Sequence, residues 1–335
     1  MELVRMFEHK WLVPPKPTTE DYNGRIIIVT GATSGIGKEA VYKFAALGAS
    51  QVIIAARDLK KGESTKAEVV KRLGRDDQLQ VWQLDMMSYD SVIRFAERAQ
   101  ELEHLDIAIL NAGLRRSSYH VSSQGWEEDL QVNTLSSVLL AVLLLPKLKQ
   151  SKHYTGKIPI LQFVNSGLHQ NAVVPAEIRQ QQSILEHYNK PENFKEGSQY
   201  KYSKVFLMYA ANQLASEISS ADVIITSICP GAVNSDLGRD HFFPGAKILA
   251  AVLIFLLLKS PSQGADMILS GTTQGEVVHG RFWKDDEVKP VPRAIAGAEM
   301  KELGFRIWTE IVEVLAQDVP QFSKALEVAS LKTTT

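Results

Sequence analysis

The sequence predicts an α/β fold, a doubly wound parallel sheet in one domain. Three observations carry that expectation. A short β-branched run, Ile26-Ile27-Ile28-Val29, opens directly into a glycine-rich turn. Further apolar runs at 51–56, 79–84 and 105–110 recur with helical patterns between them. The alternation continues from about residue 25 to about residue 230 without a linker, as a single wound sheet with right-handed crossovers requires.

The first run suits a strand buried on both faces. The turn after it reads Thr30-Gly31-Ala32-Thr33-Ser34-Gly35-Ile36-Gly37-Lys38, a T-G-x-x-x-G-x-G spacing. Gly31, Gly35 and Gly37 allow a tight turn and close approach to a ligand. A helix is expected over 36–47, with Gly48 as its stop. Its free N–H groups, with Thr33, Ser34 and Ile36 around them, make an anion site suited to a dinucleotide pyrophosphate.

The second strand, 51–56, ends at Arg57-Asp58. In a dinucleotide fold this point faces the adenosine ribose, where an acid selects a 2′-hydroxyl and a base a 2′-phosphate. Arg57 occupies it and Lys38 adds a second positive charge, which favours NADP(H). Asp58, one residue on, is the rival ligand for an NAD(H) ribose.

Tyr200 and Lys204 lie four apart in Tyr200-Lys201-Tyr202-Ser203-Lys204, on one face of an expected helix. Carbonyl reduction needs a proton and a hydrogen-bond donor at the oxygen. Tyr200 can supply the proton, and a nearby ammonium is expected to lower its pKa from about 10. Tyr202 has Phe206 at the matching position instead of a lysine.

In this order and separation the motifs resemble the short-chain dehydrogenase/reductase family, from about residue 22 to about residue 308. The resemblance implies a Rossmann-type domain with a substrate lid. It adds Asp85 at the adenine, Asn111-Ala112-Gly113 beside the adenosine half of the cofactor, and Pro230-Gly231-Ala232-Val233 near the nicotinamide. It makes Asn133, Ser166, Tyr200 and Lys204 a catalytic tetrad. In that scheme Lys204 also holds the nicotinamide ribose, and Asn133 links it to solvent through a water. The chain most resembles long fungal members related to the retinol-dehydrogenase-like branch, many of them acting in secondary metabolism. Two features depart from the pattern. Asn165 stands where a first serine is common, and the gap from Ser166 to Tyr200 is long, so an insert over 167–199 is expected to form a lobe over the site. His169 is expected at the substrate lip or in a structural role.

The expected organisation is an N-terminal arm (1–21), one domain (22–316) with the insert at 167–199 and a lid at 232–260, and a C-terminal tail (317–335). A central helix is expected around 135–148 and a buried stripe of Ile307, Trp308, Ile311 and Val312 near the end. The apolar run 248–258 is too short to span a bilayer. It could line an apolar substrate site, dock on a membrane surface, or pack in the core. The net charge of −1 gives no nucleic-acid footprint. The single cysteine, Cys229, suits a reducing, cytoplasmic setting, and no signal peptide is read at the start. The histidines have no metal-ligand spacing.

These readings converge on an NADP(H)-dependent oxidoreductase acting on a ketone or secondary alcohol of an apolar small molecule, such as a polyketide or terpenoid. A homodimer through two long helices is common in the family. The rival readings are a membrane-surface retinoid or sterol dehydrogenase and a catalytically silent NADP(H) sensor.

Overall fold

The computed structural model describes residues 2–76, 78–235, 237, 253–292, 295–329 and 331. The strands are β1 (Ile26–Thr30), β2 (Gln51–Ala56), β3 (Leu79–Gln83), β4 (Ile107–Leu110), β5 (Ile160–Val164), β6 (Ile224–Cys229), β7 (Phe282–Lys284) and β8 (Glu287–Lys289). They form one sheet in the order β3-β2-β1-β4-β5-β6-β7-β8. The pairings are parallel up to β7, and β8 returns antiparallel. Val29 of β1 is in register with Ile54 on one side and Ile109 on the other. The strand order therefore reverses beside β1, and such a switch opens a ligand crevice at the carboxyl ends of the strands.

The helices are α1 (Glu2–Trp11), α2 (Gly35–Ala46), α3 (Leu59–Leu73), α4 (Tyr89–Gln100), α5 (Glu128–Thr155), α6 (Ala176–Arg179), α7 (Ile184–Asn189), α8 (Ser198–Glu217), α9 (Pro261–Gly271), α10 (Ala298–Asp318) and α11 (Pro320–Val328). Strand alternation sends Ile27 and Val29 into the core beneath α2 and α9, and Ile26 and Ile28 into the core with α4, α5 and α8. Burial on both faces explains the unbroken apolar runs. Among the described residues α5 alone is long and apolar enough to cross a membrane. Its apolar window is 89% buried inside the protein, so it is a core helix.

The C-terminal residues join the same core. Ile307, Trp308 and Ile311 of α10 are fully buried, as are Phe322 and Leu326 of α11. Helix α10 packs on α8 and α11 packs on α5. At the first contact, a Cβ on Gly304 would stand 2.5 Å from the Tyr209 ring.

The insert is a chain of short turns, including α6 and α7, anchored on α10. The Arg306 guanidinium on α10 donates to the carbonyls of Arg179, Gln181 and Gln182. One turn on, the Glu310 carboxylate accepts the N–H groups of Ile184 and Leu185 at 2.8 and 2.9 Å. The arm is a helix lying on the end of the lid. Trp11 Nε1 donates to the Leu256 carbonyl at 3.0 Å, and the Lys10 ammonium donates to that of Phe255. Residues 236 and 238–252, most of the expected lid, lie outside the described residues.

Candidate active site

The glycine turn is held closed from the neighbouring strand. The Asn111 side-chain amide donates to the carbonyls of Thr30 at 2.9 Å and Gly31 at 3.3 Å. The Ala112 N–H donates to Thr30 Oγ1 at 2.8 Å. Gly31 has φ +62°, in the left-handed region. A Cβ on Gly37 would lie 2.4 Å from the Gly31 carbonyl oxygen and 2.7 Å from Asn111 Nδ2. Ser34 caps α2 without a side-chain bond, so the first N–H groups of that helix stay available to an anion. Ile36 and Val233 close around Gly264, 3.1 and 3.0 Å from where its Cβ would be. Thr33 contributes its carbonyl to Thr65 Oγ1 at 3.2 Å. A cradle in which an extra methyl group would collide, opening on bare N–H donors, fits a dinucleotide pyrophosphate.

At the end of β2, Arg57 is exposed and carries no ion pair among the described residues. Asp58 is occupied as the N-cap of α3, accepting the N–H groups of Lys60 at 2.9 Å and Lys61 at 3.3 Å. Lys38 is held by Glu68 at 2.7 Å. Asp85 Oδ1 accepts the Met87 N–H at 3.0 Å beyond β3.

Tyr200 and Lys204 lie on the first turns of α8 and are buried at 5% and 3% exposure. Burial raises the Tyr200 phenol well above its usual range. The Ser166 hydroxyl and Arg115 guanidinium pull it down, while Cys229 and Asp129 add to the rise. Burial lowers the Lys204 ammonium to about 8, with Asp129 and Cys229 opposing. The expectation that Lys204 depresses the phenol is corrected here. Its Nζ is 5.9 Å from the ring centre and donates to the Val164 carbonyl at 3.0 Å, and desolvation dominates. A phenol kept protonated is a proton donor, the form that carbonyl reduction consumes.

Ser166 follows β5 and caps a 3₁₀ turn, its Oγ accepting the Leu168 N–H at 3.3 Å. His169 is fully buried and structural. Its Nδ1 bonds the Ser166 carbonyl at 2.6 Å, its ring packs on Phe282, and desolvation lowers its pKa to about 4. Asn133 lies in a π-helical turn, Gln131–Leu135, within α5. The wider turn accompanies a side chain tied at both ends, and such turns occur often at functional sites. Asn133 Oδ1 accepts the Leu114 N–H at 2.9 Å, and Nδ2 donates to the Leu114 carbonyl and to Ser203 Oγ at 3.0 Å. Gly113 sits between them, where a Cβ would be 3.0 Å from Asn133 Oδ1 and 3.6 Å from Lys204 Nζ. Beyond Pro230, Gly231 lies against the Lys259 side chain, with Lys259 Nζ 3.1 Å from where its Cβ would be.

The family's short chain dehydrogenase profile matches residues 25–173. The short-chain dehydrogenase/reductase phmF of Phaeosphaeria nodorum is 38% identical over 305 residues, 90% of this chain and 89% of the relative. The chain belongs to the short-chain dehydrogenase/reductase family. A second member, ffsI of Aspergillus flavipes, is 35% identical over 95% of this chain and 93% of its own length. Among solved structures, a Sphingobium yanoikuyae short-chain dehydrogenase in complex with NADPH superposes with a TM-score of 0.57 at 19% identity, covering 78% of this chain and 87% of that one. The Pseudomonas aeruginosa RhlG/NADP complex gives 0.61 at 24% identity, covering 80% and 97%. At these identities the likeness is one of fold.

Two residues outside the sequence-derived set stand at the site of this short-chain dehydrogenase/reductase. Asp129, one helical turn before Asn133, is fully buried. Its Oδ1 accepts the Arg116 N–H at 3.0 Å and its Oδ2 has no partner. Burial, then the neighbouring Glu127, raises its pKa to about 8. The helical spacing to Asn133 was the available signal. Arg115, two residues after Gly113, has its guanidinium 5.9 Å from the Tyr200 ring centre. An arginine pair in a loop reads as solvated charge until the fold brings it to the tyrosine.

Proposed function

We propose that this family member is an NADP(H)-dependent oxidoreductase that reduces a ketone, or oxidises the matching secondary alcohol, on an apolar small molecule. The observation that carries the reading is the buried Tyr200 phenol between Ser166 and Lys204 at the strand ends that also hold the glycine cradle. The first turn of α2 would hold the pyrophosphate, Arg57 the 2′-phosphate, Asp85 and Asn111-Ala112-Gly113 the adenosine half, and Lys204 with Pro230, Gly231 and Val233 the nicotinamide half. When bound, the cofactor supplies the hydride. Tyr200 gives its proton to the carbonyl oxygen, Ser166 donates a hydrogen bond to the same oxygen, and Asn133 fixes Leu114 and Ser203 beside Lys204. Four of the solved structures of similar fold carry NADPH or NADP, whereas a Brucella melitensis 3-ketoacyl reductase carries NADH, so the choice of NADP(H) rests on Arg57. The resemblance to fungal members favours a role in polyketide or terpenoid biosynthesis, and the single cysteine favours the cytoplasm.

The test is oxidation of NADPH and of NADH by the purified protein across a panel of apolar ketones. Turnover with NADPH is expected. Absence of turnover with every ketone, with cofactor binding intact, would favour the sensor reading.

A membrane-surface dehydrogenase is favoured by one observation. Helix α1 is inverted, with Leu3, Val4, Phe7 and Trp11 outward and Lys10 inward, and Leu253 and Phe255 are exposed beside it. Sedimentation with liposomes separates the two readings.

A further inference from the structure

Arg115 and Arg116 are neighbours with opposite circumstances. Arg116 is paired to Glu128. Arg115 is half-buried, its Nε is shielded from solvent without a hydrogen-bond partner, and no carboxylate among the described residues reaches it. Its guanidinium lies between the Tyr200 ring, 5.9 Å from the centre, and Gly197, where a Cβ would meet Nη2 at 3.3 Å. A second cation, which shares the field of its chain neighbour Asp285, stands by the serine. Lys284 Nζ is 3.2 Å from where a Cβ on Gly167 would be, and among the described residues it has no ion pair. Other shielded cations have an acceptor, either a carboxylate, as Lys259 has in Asp285 at 3.5 Å and Arg25 in Glu20 at 3.1 Å, or a backbone carbonyl, as Lys204 has in Val164 at 3.0 Å.

A donor shielded from water and left without a partner is costly unless an acceptor arrives. The planar fork of arginine matches a carboxylate with two parallel hydrogen bonds. We propose that the substrate of this enzyme is a keto acid whose carboxylate is held by Arg115 while its ketone oxygen meets Tyr200 and Ser166, with Lys284 adding positive potential from the serine side. This rests on the oxidoreductase reading and narrows it. The apolar body of the substrate carries one acidic group within a few bonds of the reacting carbonyl.

The test uses the NADPH-loaded protein, with nicotinamide fluorescence reporting binding of 4-oxo-4-phenylbutanoate and of its methyl ester. The carboxylate is expected to bind about ten- to a hundredfold more tightly than the ester, the worth of a charge-assisted hydrogen bond. Arg115→Met should bring the ratio close to one, and Arg115→Lys should retain part of it. NADPH affinity of each variant checks that it is folded, and Lys284→Met should lower the same ratio by a smaller factor. Equal affinities in the wild type, no carboxylate binding, or a ratio unmoved in Arg115→Met overturns the proposal. Failure of the parent reading looks different, since the charge preference would then persist without NADPH oxidation of any ketone.

Discussion

Lys204 donates its ammonium to the Val164 carbonyl at 3.0 Å, so the lysine reaches across the site from α8 to the end of β5. Burial brings its pKa down to about 8, and above that pH the charge is lost. Cofactor affinity is therefore expected to be greatest below pH 8 and to fall as pH rises through it. Lys204→Met should bind weakly at neutral pH and lose this pH dependence. Titration of the reduced cofactor from pH 6.5 to 9.5 decides it, and a wild-type curve flat across that range would leave the ammonium without a role in binding.

Tyr200→Phe should lower turnover by about 10²- to 10⁴-fold, the scale of removing a general acid, with cofactor affinity nearly unchanged. Tyr202→Phe should be mild, because its hydroxyl makes one long bond, 3.4 Å to the Val173 carbonyl, and its ring packs on Tyr188. Steady-state rates and cofactor titrations of both variants provide the check. Similar losses in the two would remove the distinction drawn here.

Arg57→Ala should lose most of a preference of about ten- to a hundredfold for NADPH over NADH. The engagement of Lys38 by Glu68 at 2.7 Å adds an opposite expectation. Glu68→Gln frees that ammonium and should sharpen the preference. Affinities of both reduced cofactors for the three proteins test this, and tighter NADH binding by the wild type would contradict it.

Asp129 makes stability depend on pH. Its carboxyl titrates near 4 when unfolded and at about 8 when folded. Between those values the native state keeps a proton that the unfolded chain has released, so stability falls as pH rises through the window. Asp129→Asn keeps an acceptor for the Arg116 N–H and removes the buried charge. The variant should melt above the wild type at pH 8, with the gap narrowing toward pH 5. Thermal unfolding at the two pH values is the measurement, and an equal gap at both would count against it.

The parts of the site set by local chemistry were legible. Gly31, Gly35 and Gly37, the apolar strands, and the Tyr200–Lys204 spacing each express a short-range constraint that a linear reading detects. What escaped depends on distant neighbours. Lys204 looked like the group that tunes the phenol, because spacing shows that two residues share a face but not how much water surrounds them. Asp129 and Arg115 belong to α5 and the loop before it, and only the fold brings them to α8. Lys38 enters the sequence reading only as a second positive charge near Arg57, because its partner, Glu68, lies on another helix.

Helices α10 and α11 lie over α8 and α5. Phe322, Leu326 and Trp308 bury their side chains in that packing. Helices α10 and α11 thus clothe α8 and α5 from within the same chain. Self-association through those helices would require α10 and α11 to be peeled away, and with them Arg306 and Glu310, the two side chains from which the segment between Ser166 and Tyr200 is hung.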